Sequence, residues 1–148
     1  MLRTEIARIF QSPESYYDKE LTVCGWARSI RDSKAIGFIQ LNDGSCFASL
    51  QVILQADVLD NYRELVKQNV GAAFVVHGKL VATPEAKQPF ELHAASVEVE
   101  GVSSPDYPLQ KKKHSLEYLR TVAHLRPRTN TFSAVFRVRS AAAYALHR

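Results

Sequence analysis

Residues 30–45 read IRDSKAIGFIQLNDGS, and the way this stretch alternates decides the fold. In an extended strand successive side chains point to opposite faces, so Ile39 and Leu41 share one face and Phe38 and Gln40 the other. The isoleucine–leucine face must be core. That leaves a phenylalanine on the outer face, a few residues after Arg31 and Lys34, where a soluble protein usually places a polar side chain. The DGS at 43–45 reads as a tight turn into a third strand.

Working outward, the same period of two appears in LTVCGWARSI (21–30) and AIGFIQLND (35–43). It returns in CFASLQVIL (46–54), which places Leu50, Val52 and Leu54 inward and Gln51 outward. It continues in AFVVHGKLVAT (73–83) and FELHAASVEVE (90–100), joined by a loop, PEAKQP, at 84–89. Between the third and fourth strands, DVLDNYRELVKQ (57–68) carries Val58, Leu59, Tyr62, Leu65 and Val66 at helical spacing, with Gly71 beyond as a stop. A short helix over 4–10, with Ile6, Ile9 and Phe10 on one side, leads through the turn-rich SPESYYDKE. Three strands, a helix and two strands, all short and antiparallel, predict a five-stranded OB-fold barrel. No internal repeat is visible.

After the barrel, GVSSPDYPLQKKKHS (101–115) reads as a linker from its Gly, Pro and Lys content. LEYLRTVAHLRPRTNT starts helically and is interrupted at Pro127. TFSAVFRVRSAAAYALHR (131–148) then has Phe132, Val135, Phe136, Ala143, Tyr144 and Leu146 on a helical period. The expected organisation is a barrel domain over 1–101, a linker or hinge over 102–130, and the opening of a further domain from 131 to 148. The chain stops inside this apolar helix, which therefore wants a partner surface.

The chain has 148 residues, with 46% hydrophobic and 23% charged, an ordinary globular composition. No apolar run is long enough to span a membrane and no secretory leader is seen, so a cytoplasmic protein is expected. Cys24 and Cys46 are too few and too isolated for a disulfide scaffold or zinc cluster and read as free thiols. The net charge of +4 is unevenly placed: residues 1–100 carry 10 Lys+Arg against 13 Asp+Glu, and residues 101–148 carry 9 against 2. A basic segment beside a near-neutral domain suits a polyanionic partner, and a charged linker would look the same.

Phe38, Gln51 and Glu91 each lie opposite the inward residues of their own strands. An aromatic ring stacks on a base, an amide supplies a donor and an acceptor, and a carboxylate accepts from a base N–H. The competing reading covers Phe38 with the 84–89 loop or the 58–70 helix and leaves Gln51 and Glu91 as solvated surface. Arg28, Arg31 and Lys34, at the end of the first strand and in its turn, suit phosphate or a base edge, or are simply a solvated turn. Gln40 is given no role. Trp26 reads as packing, Lys111–Lys113 as linker, and HLRPRT (124–129) as an interdomain joint. The histidines lack metal-ligand spacing, and no catalytic triad, Walker loop or paired acid site is present, so no catalytic or metal residue is assigned.

The motifs VCGWARSIRDSKAIGFIQLNDGSCF, ELHAASVEVEG and HSLEYLRTVAHLRPRTNTFSAVFRVRSA resemble the N-terminal part of asparaginyl-tRNA synthetase, over nearly the whole chain. The pattern GW…RD…F…L.DGS is shared with the aspartyl and lysyl enzymes, whereas DSKA, DGSCF and HLRPRTN resemble the asparaginyl type. The resemblance implies an anticodon-binding barrel in which Phe38 stacks on the central uridine, Gln51 hydrogen-bonds it, and Glu91 helps read the same region. Arg31 then lies where aspartyl relatives contact the third base. It also implies a class II ligase that is a homodimer and uses ATP and Mg²⁺ to attach asparagine to tRNA(Asn). Residues 131–148 look like its first catalytic motif, the dimer helix. The proline ending that motif and the ATP-holding arginines are absent, so this chain alone is not expected to aminoacylate or to need a cofactor. From the residues alone, a freestanding RNA-binding module of the same barrel type and a protein-interaction barrel remain open.

Overall fold

The computed structural model describes residues 3–86 and 88–148. They form two compact units, one reaching Tyr107 and the other Pro108–Arg148. In the first, helix α1 (Ile6–Gln11) precedes strands β1 (Glu20–Ser33), β2 (Ile36–Asn42) and β3 (Leu50–Gln55). Helix α2 (Tyr62–Leu65) follows, then β4 (Ala73–Ala82) and β5 (Phe90–Gly101).

The strands close into a barrel in the order β1-β2-β3-β5-β4, with β4 returning to β1. This is the OB-fold expected from the order of elements, with α2 between the third and fourth strands. Two expectations are corrected. The strands are not all short, since β1 runs for 14 residues. Nor are they all antiparallel, because β3 pairs with β5 in parallel through Val52–Leu92 and Ile53–His93. Both follow from closure: β1 must be long enough to pair with β2 on one side and β4 on the other, and Trp26 is opposite both Asn42 and Ala73. Gly25 stands at that crowded crossing, where a Cβ would come within 2.6 Å of the Asn42 carbonyl oxygen.

The inward faces are as the alternation predicts. Ile39, Leu41, Leu50, Val52, Leu54, Leu80 and Leu92 are fully buried, joined by Ile6 and Ile9 of α1. Burial of each such side chain contributes about 1.5–3 kcal/mol. Phe10 meets Phe90 edge-on, ring centroids 4.9 Å apart.

The DGS at 43–45 is not a hairpin turn. β3 starts only at Leu50, and residues 43–49 form a loop whose polar groups are spent on α1. Asp43 Oδ2 accepts the Ile6 N–H and Ser45 Oγ accepts the Ala7 N–H, both at 2.9 Å. These bonds satisfy two of the free donors at the start of a helix that has no side-chain cap of its own. The predicted 57–68 helix shrinks to α2, a single turn. Leu59, Tyr62 and Leu65 are buried as its spacing implied, while Val58 is exposed. The 84–89 loop is described except for Lys87, which lies outside the described residues.

In the second unit, α3 (Leu116–Thr121) is capped by Ser115 and α4 (Asn130–His147) by Thr129. Within HLRPRT, the Arg126 guanidinium lies 4.8 Å from the Phe132 ring centroid and 5.8 Å from that of Phe136. No residue of α4 is buried, and its apolar side chains Val135, Phe136, Val138, Tyr144 and Leu146 are exposed. Among the described residues no helix is long and apolar enough to cross a membrane.

Candidate nucleic-acid interface

The outer face of the barrel is ordered by strand register. Across β1, β2 and β3, Ser29 faces Gln40 and Gln40 faces Gln51; one step along, Arg31 faces Phe38 and Phe38 faces Ile53. The short parallel ladder then brings β5 alongside, with Ile53 opposite His93. Two rows result, one polar and one built around an aromatic ring.

The polar row is a hydrogen-bonded chain. Gln40 Nε2 donates to Gln51 Oε1 at 2.7 Å, and Gln51 Nε2 donates to Glu91 Oε1 at 2.5 Å. All three side chains are half-buried. The first bond links neighbouring strands β2 and β3, whereas the second links residues 40 positions apart on β3 and β5, which barrel closure brings together. Glu91 Oε2 and the second N–H of Gln51 have no bonding partner among the described residues.

The adjacent row gives this polar edge a floor. Phe38 is half-buried, neither sealed under the 84–89 loop nor fully open, and the Arg31 guanidinium lies 5.3 Å from its ring centroid. A cation over an aromatic face is an attractive pairing, and a base stacking on that face would take the place of the guanidinium. Ile53 is 6% exposed yet stands apart from the main core, because its parity points it outward, beside Phe38.

Of the residues singled out in the sequence, Phe38, Gln51, Glu91 and Arg31 are therefore brought together. Arg28 sits at the β-bulge between Ala27 and Ser29, next to the Ser29 end of the polar row and outside both rows. Lys34 occupies the hairpin tip with φ +66°, its N–H held by Asp32 Oδ1 at 3.0 Å. Asp32 Oδ1 also accepts the Tyr62 hydroxyl at 2.7 Å, tying that tip to α2. Burial first, then the hydrogen bond to Asp32 and its charge, push the Tyr62 phenol up to about 12. Trp26 packs as expected, its indole lying against Gly44.

Sequence reasoning missed three positions. Gln40 and His93 share the outward parity of Phe38 and Glu91, so alternation alone was enough to mark them. The burial of Ile53 was not legible without knowing its cross-strand neighbours. Among the described residues no cluster of three or more His, Cys, Asp or Glu side chains could hold a metal ion.

Comparison with known proteins agrees with this geometry. A family model described as an OB-fold nucleic acid binding domain matches residues 21–100. Asparagine–tRNA ligase of Acetivibrio thermocellus is 59% identical over all 148 residues, which correspond to 32% of that protein. The ligase of Clostridium tetani is 55% identical with the same coverage. The chain thus spans about a third of the length of these curated relatives and matches their N-terminal region. Among solved structures, asparaginyl-tRNA synthetase from Pyrococcus horikoshii, complexed with asparaginyl-adenylate, superposes with a TM-score of 0.85 at 21% identity. The match covers 98% of this chain and 33% of that one. Aspartyl tRNA synthetase from Entamoeba histolytica gives 0.79 at 19%, covering 97% and 36%. At such identities these structures speak for the fold alone, and it is the match over residues 21–100 that assigns the family. The chain belongs to the OB-fold nucleic acid binding domain family.

Proposed function

We propose that this chain is the anticodon-binding region of an asparagine–tRNA ligase and that its outer wall takes the central uridine of the tRNA(Asn) anticodon. The observation that carries the reading is the Gln40–Gln51–Glu91 chain beside the Phe38 ring, with a carboxylate oxygen and an amide N–H left over among the described residues. A uracil stacked on Phe38 presents an N–H to Glu91 and a carbonyl to Gln51, filling both leftover positions. Arg31, flanking the ring, is placed to neutralise a nearby phosphate or to reach the third anticodon base, with Arg28 and Lys34 contributing charge along the same edge. Glu91 belongs under the base, since a carboxylate repels the backbone.

On this reading residues 1–101 are the anticodon domain, 102–130 the hinge and 131–148 the opening of a catalytic domain whose helix α4 meets its counterpart in a homodimer. The whole ligase would act in the cytoplasm, activating asparagine with ATP and Mg²⁺. None of that chemistry is assigned to residues present here, and the chain alone is expected to bind RNA without aminoacylating it.

The test is a fluorescence titration of the 148-residue chain against an RNA hairpin carrying GUU in its loop and against the same hairpin carrying GCU, at one stated salt concentration. Salt must be fixed because contacts from Lys and Arg to phosphate make affinity steeply dependent on it. The GUU hairpin should bind at least about tenfold more tightly, the scale of a two-point base contact. Equal affinity for both would point to a module that binds RNA without reading this base, and no binding to either would point to a protein-interaction barrel.

A further inference from the structure

Gln51 can offer a base either the donor or the acceptor side of its amide, and which one it offers decides what base fits. We infer that Gln40 is a positioning residue that locks the Gln51 amide in its donating orientation, so that the wall accepts a carbonyl next to an N–H and rejects the reverse. The inference rests on the reading of the site given above and adds to it a residue that touches no base.

The argument is one of hydrogen-bond polarity. Glu91 offers a carboxylate oxygen 2.5 Å from the Gln51 amide, and a carboxylate has only acceptors, so the Gln51 atom facing it must be the NH₂. The Gln51 oxygen then faces β2, where Gln40 meets it with an NH₂ at 2.7 Å. A direction runs through the row from Gln40 to Gln51 to Glu91, and both ends of the Gln51 amide agree with it. Without Gln40, only Glu91 opposes a flip, and solvent or an incoming base competes for the amide. With Gln40 in place the Gln51 oxygen is already occupied, and a flip would break both bonds of the row, setting oxygen against carboxylate at Glu91 and NH₂ against NH₂ at Gln40 unless the Gln40 amide turned with it.

The consequence is selective. Uracil and guanine present a carbonyl beside an N–H, which matches a donor beside an acceptor. Cytosine and adenine present an amino group beside a ring-nitrogen lone pair and meet this row with like against like. Gln40 is directly opposite Gln51 in the β2–β3 ladder, so its hold on the amide is built into the strand register.

Three variants of the full chain separate this role from a merely structural one, read as the ratio of affinities for the GUU and GCU hairpins. Gln40→Leu removes the donor and should shrink the ratio about fivefold, the scale of one neutral hydrogen bond. Gln40→Lys keeps a donor and no acceptor, so it should retain the wild-type ratio while binding both hairpins more tightly. Gln40→Glu puts an acceptor on each side of the amide and should lose the ratio as the leucine variant does. The contrast between Lys and Glu carries the test if the leucine variant fails to fold. An unchanged ratio in Gln40→Leu, or equal ratios in the Lys and Glu variants, overturns the role of Gln40 and leaves the site reading standing. A wild-type ratio near one overturns both.

Discussion

Two polar networks lie on either side of Leu41 on β2, and they differ in one respect. Around Asn42 and Asp43 the described groups bond within the chain: Asn42, 3% exposed, donates to the Cys46 and Ala48 carbonyls and accepts the Gly44 N–H. Asp43 accepts from the Ile6 N–H and from the Ser45 N–H and hydroxyl. One residue before Leu41, the chain through Gln40, Gln51 and Glu91 is bonded end to end, yet among the described residues it leaves an amide N–H and a carboxylate oxygen unspent on a half-buried face. A network whose groups are used up inside the chain holds the fold together, whereas one with groups left over beside an aromatic ring suits the binding role proposed above. A buried polar group without a partner costs about 1–3 kcal/mol, so leftover groups are tolerated only where water or a partner reaches them.

Breaking each network should therefore have opposite readouts. The largest effect is expected at the open site, where Phe38→Ala removes the stacking surface and about 1–3 kcal/mol of binding. Titration should show roughly tenfold to hundredfold weaker binding to the GUU hairpin. The melting temperature should barely move, because Phe38 is outside the main core. A large drop in melting temperature with unchanged affinity would reverse the comparison.

At the closed network the signs exchange. Asp43→Ala removes the acceptor for the Ile6 N–H and unties the loop that docks α1, a loss of about 1–2 kcal/mol in line with helix caps. Calorimetry should show a lower melting temperature, while hairpin affinity measured on the still-folded chain stays at the wild-type value. Loss of affinity in that variant would mean that the loop reaches the RNA.

The Tyr62–Asp32 pair sharpens the same contrast and has the smallest expected effect, about 1 kcal/mol at neutral pH for Tyr62→Phe. Folding raises the Tyr62 phenol from 10.0 to about 12, so its neutral form is favoured in the native state. The stabilisation is fully present below pH 10 and is lost as pH rises from 10 towards 12. Denaturant unfolding of wild type and Tyr62→Phe across that window should show the wild type's advantage disappearing. A constant difference would mean that the hydroxyl bond contributes nothing that depends on its proton.

How much of this was legible beforehand differs residue by residue. Alternation placed Ile39, Leu41, Leu50, Val52 and Leu54 inside and Phe38, Gln51 and Glu91 outside, and the order of elements placed α2 between the third and fourth strands. DGS misled because Gly after Asp is a local hairpin signal, whereas here Asp43 and Ser45 serve a helix 37 and 38 residues away in sequence. Gln40 carried the right parity and still had no role. Its meaning depends on facing Gln51, and that pairing is set by a seven-residue loop whose length the local signal misjudged.

The amino-acid sequence by itself determined which side chains face in and which face out, because that property needs only a backbone repeat of two and the cost of leaving apolar area in water. Tertiary structure alone decided which outward side chains meet. A hydrogen bond is made or lost over less than an ångström, and the distances between Gln40, Gln51 and Glu91 are set by register across three strands and by the closing of a barrel.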